Sequence, residues 1–163
     1  MDRPRNLASI PLGVVQTPQT KHEDRDLAIQ KSETEEGKIK MAFIAGPYIG
    51  DGSYVEIYRN IGEAERVAVH LANRGVFFFC PHTHTSFFGR KAKAPESFYK
   101  AMNFRFLSFC DFLIATPRWE KSDGARKVIE KCILERILVF VLNSLDDAET
   151  YDEIEAYAKS GKS

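Results

Sequence analysis

Three observations predict an α/β fold, a three-layer αβα sandwich around a doubly wound parallel sheet of the Rossmann/flavodoxin-like kind. Short apolar runs bounded by turn residues recur at Lys40–Gly46, Val76–Cys80, Phe112–Thr116 and Ile137–Leu142. Runs this short and continuous fit strands covered on both faces. Stretches with helical spacing separate them, and no two-residue hairpin signal joins any pair. That combination implies parallel strands with crossover helices.

Taken in order, residues 1–38 mix Pro, Gln, Thr, Glu and Lys without a sustained period and read as a flexible tail. Within it, Asp26–Glu36 can form a short helix, and Arg3/Arg5 can mark a targeting or contact segment. The domain is expected over 39–159, with 160–163 a short tail. Lys40–Gly46 is the first strand, ended by Pro47. Ile57, Ile61, Ala64, Ala68 and Leu71 recur at helical spacing, and Gly75 closes that helix. Val76–Cys80 is the second strand. The polar stretch Pro81 to about Pro95 reads as a loop long enough to be a lid or pocket wall. Ser97–Phe109 is expected as a helix with Phe98, Met102, Leu107 and Phe109 among its apolar positions. Phe112–Thr116 is the third strand. Ser122 or Asp123 caps the next helix, Ile137–Leu142 is the last core strand, and Asp146–Lys159 is a final helix with acids early and Lys late.

The 163 residues suffice for one domain with a real core. With 23 basic and 23 acidic side chains the formal net charge is zero, so no long-range field favours nucleic acid or an anionic membrane. No apolar run approaches the roughly 18 residues of a spanning helix, and the N-terminus lacks a signal-peptide core. Cys80, Cys110 and Cys132 lie in or beside apolar runs, as buried free thiols of a reducing compartment do. The expectation is a cytoplasmic protein without a membrane or nucleic-acid partner.

In a doubly wound sheet, the loops after successive strands meet at the carboxyl edge near the switch in strand order. Three clusters should converge there: Gly46-Pro47-Tyr48, His82/His84/Thr85, and Trp119 to Gly124 with Ala125. They offer aromatic surface, hydroxyls, titratable groups and the free amides of a helix start, a profile suited to a nucleoside or nucleotide. Many αβ proteins cap a helix with Ser-x-Gly and bind nothing there. Cys80-x-His82-x-His84 invites a metal, since strand alternation would put all three on one side, but no fourth ligand is evident; no metal and no cofactor are expected. Asp111, at the start of a buried strand, reads as a structural acid that caps the end of the preceding helix or is held by a neighbouring N–H. The alternative is a carboxylate lying under the pocket, although a strand's amino end points away from the ligand edge.

Ala45-Gly46-Pro47-Tyr48, Arg59-Asn60-Ile61, Pro81-His82-Thr83-x-Thr85, Cys110-Asp111 and Trp119-Glu120-x-Ser122-x-Gly124-Ala125 occur in this order. Together they resemble the nucleoside 2-deoxyribosyltransferase-like superfamily, in particular its small uncharacterised branch, over about Lys40 to Leu142. The resemblance implies a Rossmann-like domain that cleaves or exchanges the N-glycosidic bond of a nucleoside or its 5′-monophosphate. It also implies that Ser122 and the amides around Gly124 hold the 5′ end, and that Tyr48 orients the nucleophile or packs on the sugar. A carboxylate four residues after the glycine would attack the anomeric carbon. That position is Val128. Glu130, two residues on, points roughly 160° away at about 100° per residue and cannot replace it. Glu120, in the loop before the cap, is the better candidate nucleophile.

The sequence therefore supports two functions of different class. One is an N-glycosidase or deoxyribosyltransferase using Glu120 and Tyr48, with Gly46, Pro47, His82, His84, Trp119, Ser122, Gly124 and Ala125 lining the substrate. The other is a nucleotide-binding module without catalysis. A flavodoxin-like domain for another small ligand is a third, since fold does not fix function. Phe87, Phe88, Phe98, Tyr99 and Phe104 suffice for a homo-oligomer interface or, equally, for the core.

Overall fold

The structure, a computed structural model, describes residues 39–161. The expected tail 1–38, with its Arg3/Arg5 pair and the helix at Asp26–Glu36, lies outside the described residues, as do 162–163. The element order is β1 (Met41–Ala45), α1 (Tyr54–Asn73), β2 (Phe77–Phe79), the single-turn helices α2 (Pro81–His84) and α3 (Phe88–Lys91), and α4 (Glu96–Leu107). Then follow β3 (Phe112–Ala115), a 3-10 turn (Trp119–Lys121), α5 (Asp123–Leu134), β4 (Leu138–Val141) and α6 (Ala148–Lys159).

The four strands form one all-parallel sheet in the order β2-β1-β3-β4. Ala42 and Ile44 of β1 and Phe112 and Ile114 of β3 face α1 and α6, where Ala64, Val67, Ala68, Leu71, Tyr151, Ile154 and Ala158 are buried against them. Their alternates Phe43, Ala45, Leu113 and Ala115 face the other way, onto Leu107 at the end of α4 and Ile129 and Cys132 of α5. This is the expected three-layer doubly wound sandwich. The chain leaves β1 in one direction and returns to β3 on its other side, so the switch point lies between the carboxyl ends of β1 and β3.

Local chemistry sets the ends of these elements. Ser53 caps α1 by accepting the Glu56 N–H at 3.1 Å, and Gly75 closes it with φ +69°. Asp111 accepts the Met41 N–H at 2.8 Å and donates its own amide to the Met41 carbonyl at 2.8 Å. It thus holds the starts of β1 and β3 together. Two expectations need correction. The stretch after β2 is not all loop, because Pro81 sits at the first position of a helical turn, where its fixed φ favours helix. Helix α4 stops at Leu107, its only buried residue, and leaves Phe98 and Phe109 exposed.

Candidate functional site

At the switch point β1 and β3 approach too closely for a side chain. A Cβ on Gly46 would lie 2.0 Å from Thr116 Oγ1, and Thr116 itself is buried. Beyond Gly46 the chain turns through Pro47 and Tyr48, and two other parts of the molecule are fastened to this turn at three points. The His82 ring, 5% exposed, donates from Nε2 to the Pro47 carbonyl at 2.9 Å. A carbonyl can only accept, so this tautomer leaves Nδ1 as a bare acceptor, buried and without a partner. Burial, opposed by the Pro47 and Gly46 carbonyls, pushes the His82 pKa below its usual value. The Tyr48 hydroxyl accepts the Phe87 N–H at 2.9 Å, which leaves its own proton free to donate. Arg90 reaches the Gly52 carbonyl at 2.9 Å and lies 3.7 Å from the centre of the Tyr54 ring. The segment after β2 is therefore a pinned wall of the site.

The third attachment runs through Asn60, which is 2% exposed. Its Nδ2 donates to the Tyr48 carbonyl at 3.1 Å, and its Oδ1 accepts from Arg118 Nη2 at 3.2 Å. One side chain on α1 thus joins the loop after β1 to the loop after β3. Arg118 also bonds the Glu63 carboxylate at 2.5 Å and lies 3.6 Å from that of Glu56. Asn60, Glu63 and Arg118 were not singled out as site residues from sequence, although Asn60 belongs to the Arg59-Asn60-Ile61 motif. An Asn at a buried helix position was the available signal. Phe87 (φ 60°) and Arg118 (φ 66°) hold the left-handed conformation that favours glycine, and both flank this corner.

Past Arg118 the chain makes the 3-10 turn and enters α5. Ser122 is the cap, its Oγ accepting the Ala125 N–H at 3.3 Å. Among the described residues, the amides of Asp123 and Gly124 have no protein partner. Arg126 folds back onto the Asp123 carboxylate and the Glu120 carbonyl. Trp119 packs against the apolar cluster under α5, with Nε1 buried and unpartnered. The Glu120 side chain is exposed. Val128 packs on that same apolar cluster and Glu130 is exposed, so the helix places no carboxylate at the expected nucleophile position.

The remaining expected lining residues divide. Gly46, Pro47, Tyr48 and His82 belong, with the unexpected Asn60, to one hydrogen-bonded corner, which Arg118 links to the loop carrying Trp119, Glu120, Ser122, Gly124 and Ala125. His84 is exposed, its ring 5.4 and 5.6 Å from those of Phe79 and Phe106 rather than bonded into that corner. Strand alternation does not align Cys80, His82 and His84, because helix α2 begins at Pro81. Burial raises the Cys80 thiol pKa, and no group of three His, Cys, Asp or Glu among the described residues is arranged to hold a metal ion. A hollow of about 440 Å³ lies elsewhere, between β1, β2 and the end of α1. Its lining (Met41, Ala72, Gly75, Val76, Phe77 and Phe78) offers no titratable side chain.

No helix among the described residues is long and apolar enough to cross a membrane. No model of a known protein family matches the sequence, and no curated protein matches it either.

Proposed function

We propose that this chain binds a nucleoside or a nucleoside 5′-monophosphate at the carboxyl edge between β1 and β3. The observation that carries the proposal is the fastening of two separate segments to Pro47-Tyr48 at three points, the one after β2 through His82 and Phe87 and helix α1 through Asn60. Such a corner is built before any ligand arrives, and a preorganised site loses less entropy on binding. Beside it, the Asp123 and Gly124 amides suit an anionic or hydroxyl-bearing end. The Trp119 indole N–H and the His82 Nδ1 lone pair are a buried donor and acceptor of the kind that base and sugar edges satisfy. The motif resemblance to the nucleoside 2-deoxyribosyltransferase-like superfamily points to the same ligand class.

Cleavage of the N-glycosidic bond is the second reading. Glu120 favours it, as an acid in the loop that carries the cap. In that reaction the Glu120 carboxylate attacks the anomeric carbon as the base departs. Water then releases the sugar, and the Tyr48 hydroxyl orients the carboxylate. Against it stands Val128, which removes the carboxylate from the place where a helix would hold it rigidly. Binding without cleavage therefore fits the geometry better.

Incubation with the common deoxynucleosides and their monophosphates, followed by chromatography for free base and a thermal melt, separates the two. Stabilisation without free base supports the binding module; at a ligand concentration of 100 Kd it amounts to about 2.7 kcal/mol. Free base that disappears in Glu120→Ala supports the glycosidase. If neither stabilisation nor free base is observed with any of these ligands, the nucleotide site is refuted.

A further inference from the structure

We propose that the outer face of α1 packs antiparallel against α1 of a second copy of this chain, across a two-fold axis at Gly62. The buried side of α1 carries Ile57, Asn60, Ala64, Val67, Ala68 and Leu71. At about 100° per residue, Gly62 lies at the centre of the opposite side. Val55, Tyr58 and Val69 share that side and are 80%, 72% and 52% exposed. Glycine in a helix interior costs stability relative to alanine. A Cβ on Gly62 would meet nothing within 4 Å, so no neighbour among the described residues requires a glycine there. A second helix crossing at that point does, because the side chains at the contact set how closely two helix axes approach.

The order of residues along this face specifies the occupant. In an antiparallel pair centred on Gly62, Val55 of each copy meets Val69 of the other, Arg59 meets Glu65 and Tyr58 meets Arg66. These are an apolar pair, an opposite-charge pair and a cation–aromatic pair, each formed twice by the symmetry. Few helix faces have this property, since a face reads as its own complement only when charges of opposite sign stand at equal distances from one centre. A parallel pair in the same register would set Arg59, Glu65 and Arg66 each against itself. The charges are available for the contact. Glu65 has no ion-pair partner among the described residues, and Arg59 and Arg66 stay half exposed beside Glu56 and Asp146.

Light scattering and sedimentation of the full chain over a concentration series test the proposal. The expected mass rises from one chain to two and no further, because the closed pair uses both α1 faces. Gly62→Leu fills the crossing point with a good helix former in open space, so it should fold and melt no lower while keeping the mass of one chain. Glu65→Arg sets a cation against Arg59 of the other copy, Arg59→Glu sets two carboxylates together, and each should weaken the pair. An equimolar mixture of these two variants should recover the mass of two chains, because every charge then meets its opposite. That recovery is specific to α1 meeting α1. A single-chain mass for the unaltered protein at all concentrations overturns the proposal, as when another segment or another protein covers this face. So do species larger than two chains, a pair that survives Gly62→Leu and Glu65→Arg, or a mixture that fails to recover. Should Arg59→Glu fold poorly, Gly62→Leu and Glu65→Arg decide alone.

Discussion

Asn60 is where the largest effect of a single side chain is expected. Replacing it by Ala removes a donor from the Tyr48 carbonyl and an acceptor from Arg118. Leaving buried groups without partners costs about 1–3 kcal/mol. Urea unfolding of Asn60→Ala should register that loss, together with a loss of thermal stabilisation by deoxynucleoside monophosphates. His82 gives a pH signature. Burial lowers its pKa in the fold from the ordinary value of 6.5, so the unfolded chain takes up the proton first as pH falls. Its contribution is fully present above pH 6.5 and is lost progressively as pH drops below that value toward the folded pKa. The melting temperature should therefore decline in that window, and the slope there should be shallower in His82→Asn. An unchanged slope would mean that His82 is not the group responsible. The partners of these two side chains are not visible in a one-dimensional reading. Asn60 sits at an ordinary helical position, and its two partners belong to segments that meet only across the sheet.

Among the elements, α5 and β1 carry the clearest tests. Ser122 is the sole side-chain cap of α5, and Ser122→Ala should cost about 1 kcal/mol in denaturant unfolding while freeing the Ala125 amide. Gly46→Ala places a methyl 2.0 Å from Thr116 Oγ1, so either the strand end or Thr116 must move. An overpacking penalty of about 1–3 kcal/mol is expected. Thermal melts of Gly46→Ala and of the double variant Gly46→Ala/Thr116→Ala check it, since relief in the double variant would locate the clash. The elements themselves were legible in the sequence. All four strands appear within the expected apolar runs, and the periods of α1, α5 and α6 gave helices where they fell. The miss was Pro81–Lys91. Turn-rich composition suggested loop, but a proline that presets φ and the exposed polar positions around it also suit single helical turns.

At the scale of the whole molecule, Lys40 fastens the beginning of the domain to its end. Its ammonium donates to the Tyr157 carbonyl at 3.2 Å, the Ser160 hydroxyl at 2.8 Å and the Gly161 carbonyl at 2.6 Å. It also lies 4.4 Å from the centre of the Tyr157 ring. A cation at a helix C-terminus is favoured by the helix dipole. Lys40→Met keeps the apolar stem and deletes the charge. The last turn of α6 should then exchange its amide hydrogens faster, with less change at the centre of the sheet. Uniform exchange across the domain in both proteins would remove this role.

The sequence by itself determined the layers. Apolar period is a local property, and covered strands between amphipathic helices leave few arrangements open once crossovers must be right-handed. It also determined which loops gather at the carboxyl edge, since parallel strands put them there whatever their contents. Only the tertiary structure decided which residues meet. Arg118 reaches Asn60 across 58 positions of chain and His82 reaches Pro47 across 35, because β1 lies between β2 and β3. Contacts of that range depend on strand order and on the reach of individual side chains, and no local period encodes either.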